Sequence, residues 1–409
     1  MLVVFDTLGV MMAGGAMPEN QAFADRHPEV GPAPMAGLDR WGTAVDSCWV
    51  NGAAVCSLEL DEGSKYARGH PAAHVIPVAL ALGDHDGTSW LAAVLAGYEV
   101  AARFGRATRL RNGVHPHGTW GATGAATTAA LLVGLEGDGV ADAIDAATGL
   151  SLAPHFESAL SGHLVRNLWV GAANAAGLAA ARLASAGLGS VDGTAASTYG
   201  EVLGAFDPAP LMDPLEEPFE IMRGYFKRHA ACAYTHAAAD AVLELLQTEP
   251  LAVQEIKSVT VETYRIAATL NRTELPTRLA AMFSVPFVVA VTILEGTFGP
   301  NATDESHRSN PIVSDLAGRV TVIATDEFEG RLPDRRGARV SVQLKNGSQR
   351  SAEVEQPVGD AAGESFGWAE VRNKVDGLIG HDRAVDLEDS IRGLEDQGVG
   401  ALLQTVTRR

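Results

Sequence analysis

Cysteine is scarce in this chain: three residues in 409, Cys48, Cys56 and Cys232. A set that small and odd builds no disulfide framework, and no CxxC pair exists to start a metal site. The expectation is a reducing compartment, the cytoplasm, with the thiols as small core residues. Aromatic residues are also few, at 6%, which argues against an aromatic-rich all-β fold. Positive charge is in deficit, with 31 Lys+Arg against 50 Asp+Glu and a formal charge of −19. A field of that sign does not draw nucleic acid or an anionic membrane. An anionic ligand would need a locally basic pocket. Long apolar runs are missing too. The longest run of small and apolar residues, Gly121 to Leu135, is about 15 residues and falls short of a membrane span.

The N-terminal MLVVFDTLGVMMAGG lacks a basic leader, and Asp6 interrupts its apolar stretch. It reads as a helix entered midway, with a preceding helix expected to be absent from the sequence. No P-loop, GxSxG, HExxH or Schiff-base lysine motif is present. The apolar fraction of 46% supports a folded chain, and the length suggests two domains or three.

Glycine and alanine are abundant, with 44 glycines, and small residues let helices approach closely. Residues 1–222 read as a helical domain. Leu91 to Gly105 and Ala172 to Leu188 carry helical spacing, as does Ala237 to Leu246 just beyond it. Near residue 250 the period changes. Ile256 to Thr263 and Gly318 to Ala324 alternate like strands. Val340 to Val354 reads as a hairpin around Asn346-Gly347. Arg278 to Glu295 is apolar and reads as helical after Pro286. The expected organisation is a helical domain (1–222), a smaller α+β domain (223–362) and a helical tail (363–409) that returns to the first. The acidic, Pro-rich stretch Pro208 to Pro218 reads as the connection between the first two. The fold class is mostly α with an α+β second domain.

Four clusters carry chemistry. The first is Glu59-Leu60-Asp61-Glu62-Gly63-Ser64, followed by Arg68-Gly69-His70-Pro71. His70 precedes a proline at the first helical position, and a helix start favours an anion. The bland alternative is a solvated acidic loop with a capping histidine. The second is Gly113-Val114-His115-Pro116-His117-Gly118, two histidines in a Gly-rich turn that brings imidazole close to a ligand or leaves it on the surface. Gly118, Gly121 and Gly124 mimic a dinucleotide fingerprint, but no strand precedes them, so they read as helix-packing glycines. In the third, Arg166 stands in a neutral, apolar stretch. Its planar fork suits a ligand carboxylate or a structural salt bridge. The fourth is Lys227-Arg228-His229 at the expected domain junction, a ligand site or a solvated basic face. Neither His70 with His74 nor His115 with His117 has the companions of a metal site. Cations, imidazoles and carboxylates without cofactor suit proton transfer on a carboxylate-bearing substrate.

In these clusters, and in FDTLGVMMAGG, GHPAAHVIPVALALGD, GYEVAARFG, VRNLWVGAANAAGLAAARLASAG, FKRHAACAYTHAAADA and MFSVPFVVAVTILEG, the chain resembles the MmgE/PrpD family. That family includes 2-methylcitrate dehydratase, cis-aconitate decarboxylase and iminodisuccinate epimerase. The resemblance implies a cofactor-free enzyme, usually a homodimer, whose active site lies between a helical domain and an α+β lid. It implies that His70 and His115 are the active-site histidines. Glu59, Asp61 and Ser64 match the acidic loop, with Gly63 competing for the place of Ser64. Lys227 matches the lysine at the start of the lid. Arg166 stands where the decarboxylase and dehydratase branch often carries Lys, and Phe287 where several members carry Tyr.

The functional expectation is a hydro-lyase removing a proton α to a carboxylate of a small di- or tricarboxylate. An epimerase of an iminodisuccinate-like carboxylate and a non-catalytic binding protein are the alternatives. His115 is the preferred base, and Asp61 holds a histidine or a substrate hydroxyl. Arg166, Glu59, Ser64, His229 and Phe287 bind substrate. His70, His115, Arg166 and Lys227 would supply a joint positive potential.

Overall fold

The computed structural model describes residues 1–28, 30–83, 85–189, 191–215 and 218–408. The chain folds into two compact units: Met1–Phe156, Val165–Phe226 and Gly367–Arg409 form the first, and Glu157–Leu164 and Lys227–Phe366 the second. The architecture is mostly helical with small sheets, and the α+β character is concentrated in the second unit.

The first unit begins with helix α1 (Leu2–Gly15), then α2 (Ala44–Cys56), α3 (Pro71–Ala81), α4 (Gly87–Ala107), α5 (Gly121–Leu132), α6 (Asp138–Gly149) and α7 (Val165–Ser185). Its core is built on small residues. Helix α5 buries every residue from Gly121 to Ala130, and it packs against α4, α6 and α7. A β-carbon at Gly124 would lie 2.5 Å from the Gly97 carbonyl oxygen, and one at Gly52 would lie 2.5 Å from Gly171 Cα. Gly124 is thus the helix-packing glycine the sequence suggests. Gly118 instead takes φ +85° in the turn before α5, and Gly121 makes room for the His74 ring, 2.3 Å from where its β-carbon would stand. Two short antiparallel pairs, Ala33–Met35 with Arg40–Gly42 and Thr108–Leu110 with Gly204–Phe206, interrupt the helical pattern. Three-residue strands are too brief to show a period. Residues 216 and 217 of the Pro-rich stretch lie outside the described residues.

In the second unit, α8 (His236–Thr248) and α9 (Val285–Glu295) accompany a four-stranded sheet. Its strands are β1 (Ile256–Thr263), β2 (Val320–Ala324), β3 (Ala338–Leu344) and β4 (Gln349–Val354), in spatial order β2-β1-β3-β4. The β1–β2 pair is parallel and the others antiparallel. The Asn346-Gly347 turn joins β3 and β4, and Gly347 takes φ +91°. Strand β3 alternates buried and half-buried residues along its length, the pattern of one face on a core. Helix α9 starts at the Ser284 N-cap, whose hydroxyl accepts from the Phe287 N–H, with Pro286 in its first turn.

Helices α10 (Trp368–Ile379), α11 (His381–Arg392) and α12 (Gly400–Thr407) belong to the first unit. Lys374 of α10 places its Nζ 2.6 Å from the buried Asp6 carboxylate of α1 and donates to the Leu60 carbonyl at 2.7 Å. The tail therefore grips the acidic loop from behind. Among the described residues no single helix is long and apolar enough to cross a membrane.

Candidate active site

The first unit gathers the acidic loop, both histidine motifs and Arg166. Glu59, Asp61, Glu62, Ser64, His70, His74, His115, His117 and Arg166 are all buried. Glu59 holds a left-handed backbone, φ +51°, a conformation that costs a non-glycine residue about 1–3 kcal/mol and clusters at functional sites. Its carboxylate forms a buried ion pair with the Arg166 guanidinium. Arg166 Nη1 also donates to the Cys56 carbonyl at 3.2 Å and to Asn167 Oδ1 at 3.3 Å. Of the two readings of Arg166, the salt bridge is the one present. The expected joint positive potential is corrected accordingly in this unit: Glu59 offsets Arg166, and the neighbouring histidines His115 and His117 are held neutral. Burial first, then the Arg166 charge, pushes both imidazoles well below their ordinary value.

The start of α3 is also not open to a ligand anion. Glu62 occupies it from within the chain, its Oε2 accepting the Ala72 N–H at 3.1 Å. Tyr98 donates to Glu62 Oε1 at 2.5 Å. Burial nevertheless pushes the Glu62 carboxyl up to about 8, against the lowering effect of these two bonds. The folded protein therefore keeps a proton on Glu62 that the unfolded chain releases near its ordinary value of 4.5. With more protons bound in the folded state, this contribution to stability is full below pH 4.5 and is lost as pH rises towards 8. His74, pushed down to about 4 by burial, acts oppositely, as do His115 and His117. Their contribution is full above pH 6.5 and is lost on acidification. The unfolding free energy measured in urea should therefore fall from pH 6.5 to 8 by up to about 2 kcal/mol. In Glu62→Gln the loss between pH 4.5 and 8 should disappear, while the histidine-driven loss on acidification remains.

Hydrogen bonds assign the tautomers. His70, the N-cap of α3, has its Nδ1 2.7 Å from the Glu62 carbonyl and 3.0 Å from Asp61 Oδ2. Both neighbours accept, so Nδ1 carries the proton and the lone pair of the neutral ring is on Nε2. His115 is the reverse: its Nδ1 accepts the His117 backbone N–H at 3.1 Å, which puts the proton on Nε2. The His115 ring lies between Phe156 and Trp169, with centroids at 5.1 and 5.3 Å. His74 Nδ1 faces the His70 carbonyl at 3.0 Å and so donates to it. Ser64 is a turn residue, its hydroxyl accepting from the Ala67 N–H at 3.2 Å. Gly63 pairs with the Tyr225 backbone, N–O 3.0 and 2.8 Å.

The remaining sequence candidates belong to the second unit. His229 Nε2 lies 3.0 Å from Asp240 Oδ1, and Asp240 also accepts from the Val358 N–H at 2.9 Å. Lys227 is fully buried, and its charge, after burial and His229, helps hold His236 neutral. Phe287 is packed edge-on against Phe298, centroids 6.1 Å apart.

Sequence reasoning noted His74, His117 and Glu62 without giving them a site role, and it passed over Asp240. His74 had a signal, since it lies four residues after His70 at a helix start and so on the same face. Glu62 and Asp240 acquire their partners only through the fold. Among the described residues no three His, Cys, Asp or Glu side chains form a set that could hold a metal ion.

A helical unit that buries histidines among carboxylates stands in one chain with an α+β unit, the architecture of a two-domain protein. Residues 1–210 match the MmgE/PrpD N-terminal domain and residues 229–395 the MmgE/PrpD C-terminal domain. The chain belongs to the MmgE/PrpD family. It is 23% identical over 434 residues to a cis-aconitate decarboxylase of Aspergillus terreus, covering 96% of this chain and 88% of that protein. A second cis-aconitate decarboxylase, from A. terreus strain NIH 2624 / FGSC A1156, is 23% identical over 393 residues, covering 87% and 80%.

Proposed function

We propose that this protein is a lyase that removes a proton α to a carboxylate of a small di- or tricarboxylate and expels a β-hydroxyl group. The observation that carries the reading is the Asp61–His70 pair. His70 Nδ1 is fixed by Asp61 and the Glu62 carbonyl, which directs a basic lone pair to Nε2 of a buried ring. The sequence gives the base role to His115 and leaves His70 to protonate a leaving hydroxyl or orient a carboxylate. The tautomers favour an exchange of roles, because the His115 lone pair is engaged by the His117 N–H. His70 Nε2 takes the C–H proton, and the electron pair passes into the carboxylate as an enolate. That pair then forms the alkene as the C–O bond breaks, and His115 Nε2–H protonates the departing hydroxide to give water. Proton exchange with solvent restores both rings. The family membership and the decarboxylase relatives support a carboxylate-bearing substrate.

The test is a panel of di- and tricarboxylates, including citrate, 2-methylcitrate and cis-aconitate, assayed for alkene, carbon dioxide and deuterium uptake from D₂O. Alkene formation with exchange is the expected result. Exchange with inversion and no alkene would identify the epimerase. Carbon dioxide from cis-aconitate would move the cleaved bond from C–O to C–C. A folded protein inert on the whole panel would sink the reading.

A further inference from the structure

His117 is the least explained side chain of the site. It is 1% exposed, yet neither ring nitrogen has a hydrogen-bond partner among the described residues. A neutral imidazole carries one N–H donor and one lone pair. Leaving either unmet in a protein interior costs about 1–3 kcal/mol, and folded proteins rarely leave both. A structural core histidine would have at least one partner, as His74 does at the His70 carbonyl.

The surroundings give the unmet atoms a use. The His117 ring lies 4.6 Å from His115, 5.1 Å from His70 and 6.2 Å from His74, centroid to centroid, and stands nearly perpendicular to all three. It is thus flanked by the proposed base and the proposed acid. His74 Nε2, in the same cluster, is likewise buried without a partner. Among the described residues, three ring nitrogens of this buried cluster therefore lack hydrogen-bond partners, between the two residues to which proton transfer is assigned.

We propose that His117 is a substrate-contacting residue, a hydrogen-bonding group that holds a carboxylate or hydroxyl of the bound acid between His70 and His115. This rests on the carboxylate reading above and adds to it a residue whose neutral ring donates and accepts without net charge. Its neutrality fits the place, since burial and Arg166 keep the proton count at one. A cation there would be repelled by Arg166.

The test uses tricarballylate, a tricarboxylate with no hydroxyl to lose, and calorimetric binding to the full chain. His117→Phe keeps a planar ring and removes both nitrogens. The free protein should then be at least as stable as wild type, because the lost atoms have no partners in it. Affinity for tricarballylate should fall about 10- to 100-fold, the effect of a lost hydrogen bond to a charged group. His117→Gln, which retains one donor and one acceptor, should recover part of that loss and serves equally if the Phe ring does not fold. Unchanged affinity in both variants, with wild type binding the probe, would overturn the role of His117 and leave the lyase reading standing. No binding of tricarballylate or cis-aconitate by wild type would overturn the carboxylate reading and this assignment with it.

Discussion

Replacing His70 with glutamine should lower deuterium exchange into substrate, and turnover with it, by about 10²–10⁴-fold, the loss that follows removal of a general base. Glutamine reaches a similar distance and can still donate towards the Glu62 carbonyl, so the α3 start should persist. KM should change little, because a base that acts on a C–H bond contributes mainly in the transition state. Asp61→Asn should show a smaller fall, since the ring keeps its Glu62 contact but loses the carboxylate that stabilises its protonated form. The comparison that decides the assignment is His115→Gln. If it loses exchange while His70→Gln retains it, the base is His115 and the tautomer argument is wrong. If His115→Gln instead retains exchange but loses alkene formation, the two rings divide the work as proposed.

Removing Arg166 should be felt in folding before it is felt in substrate affinity. Arg166→Met takes the guanidinium away from the Glu59 carboxylate, and both groups are almost fully buried. Breaking a buried pair from one side costs about 3–5 kcal/mol, because a charge is left in a poorly solvating interior. Urea unfolding should register that loss directly. Adding Glu59→Gln to the same chain should recover a large part of it, since the double variant has no charge left to desolvate. A ligand clamp behaves differently: Arg166→Met would keep its stability and show a raised KM, and Glu59→Gln would rescue nothing.

These two residues also show where the sequence is readable. The position of Arg166 in an apolar stretch says that it needs an anion, but a guanidinium fork fits a ligand carboxylate and a glutamate equally well. The glutamate that answers it is 107 residues earlier, and only the close crossing of α2 and α7 at Gly52 and Gly171 brings them together. His70 is more legible, because a residue before a proline at a helix start has few conformations open to it. The Asn346-Gly347 hairpin is legible for the same kind of reason: the turn geometry is written in two adjacent residues. His117 is spelled out beside His115, but what sets it apart is what its nitrogens do not touch, and no local pattern encodes that. The base assignment was illegible altogether, since it depends on which carbonyl and which N–H each ring meets.

The short stretch Glu157–Leu164 carries a lesson about inheritance and modularity. It belongs to the second unit although the residues on both sides of it belong to the first. Arg272 holds Glu157 and Ser161, each at 2.9 Å, and Thr277 donates to the Gly162 carbonyl at 2.9 Å. A gene fragment cut at 227 and 366 would therefore encode a module missing one of its own stitches. Exchange of this unit between relatives by recombination would have to carry two separated stretches of sequence together, or repair three polar contacts afterwards.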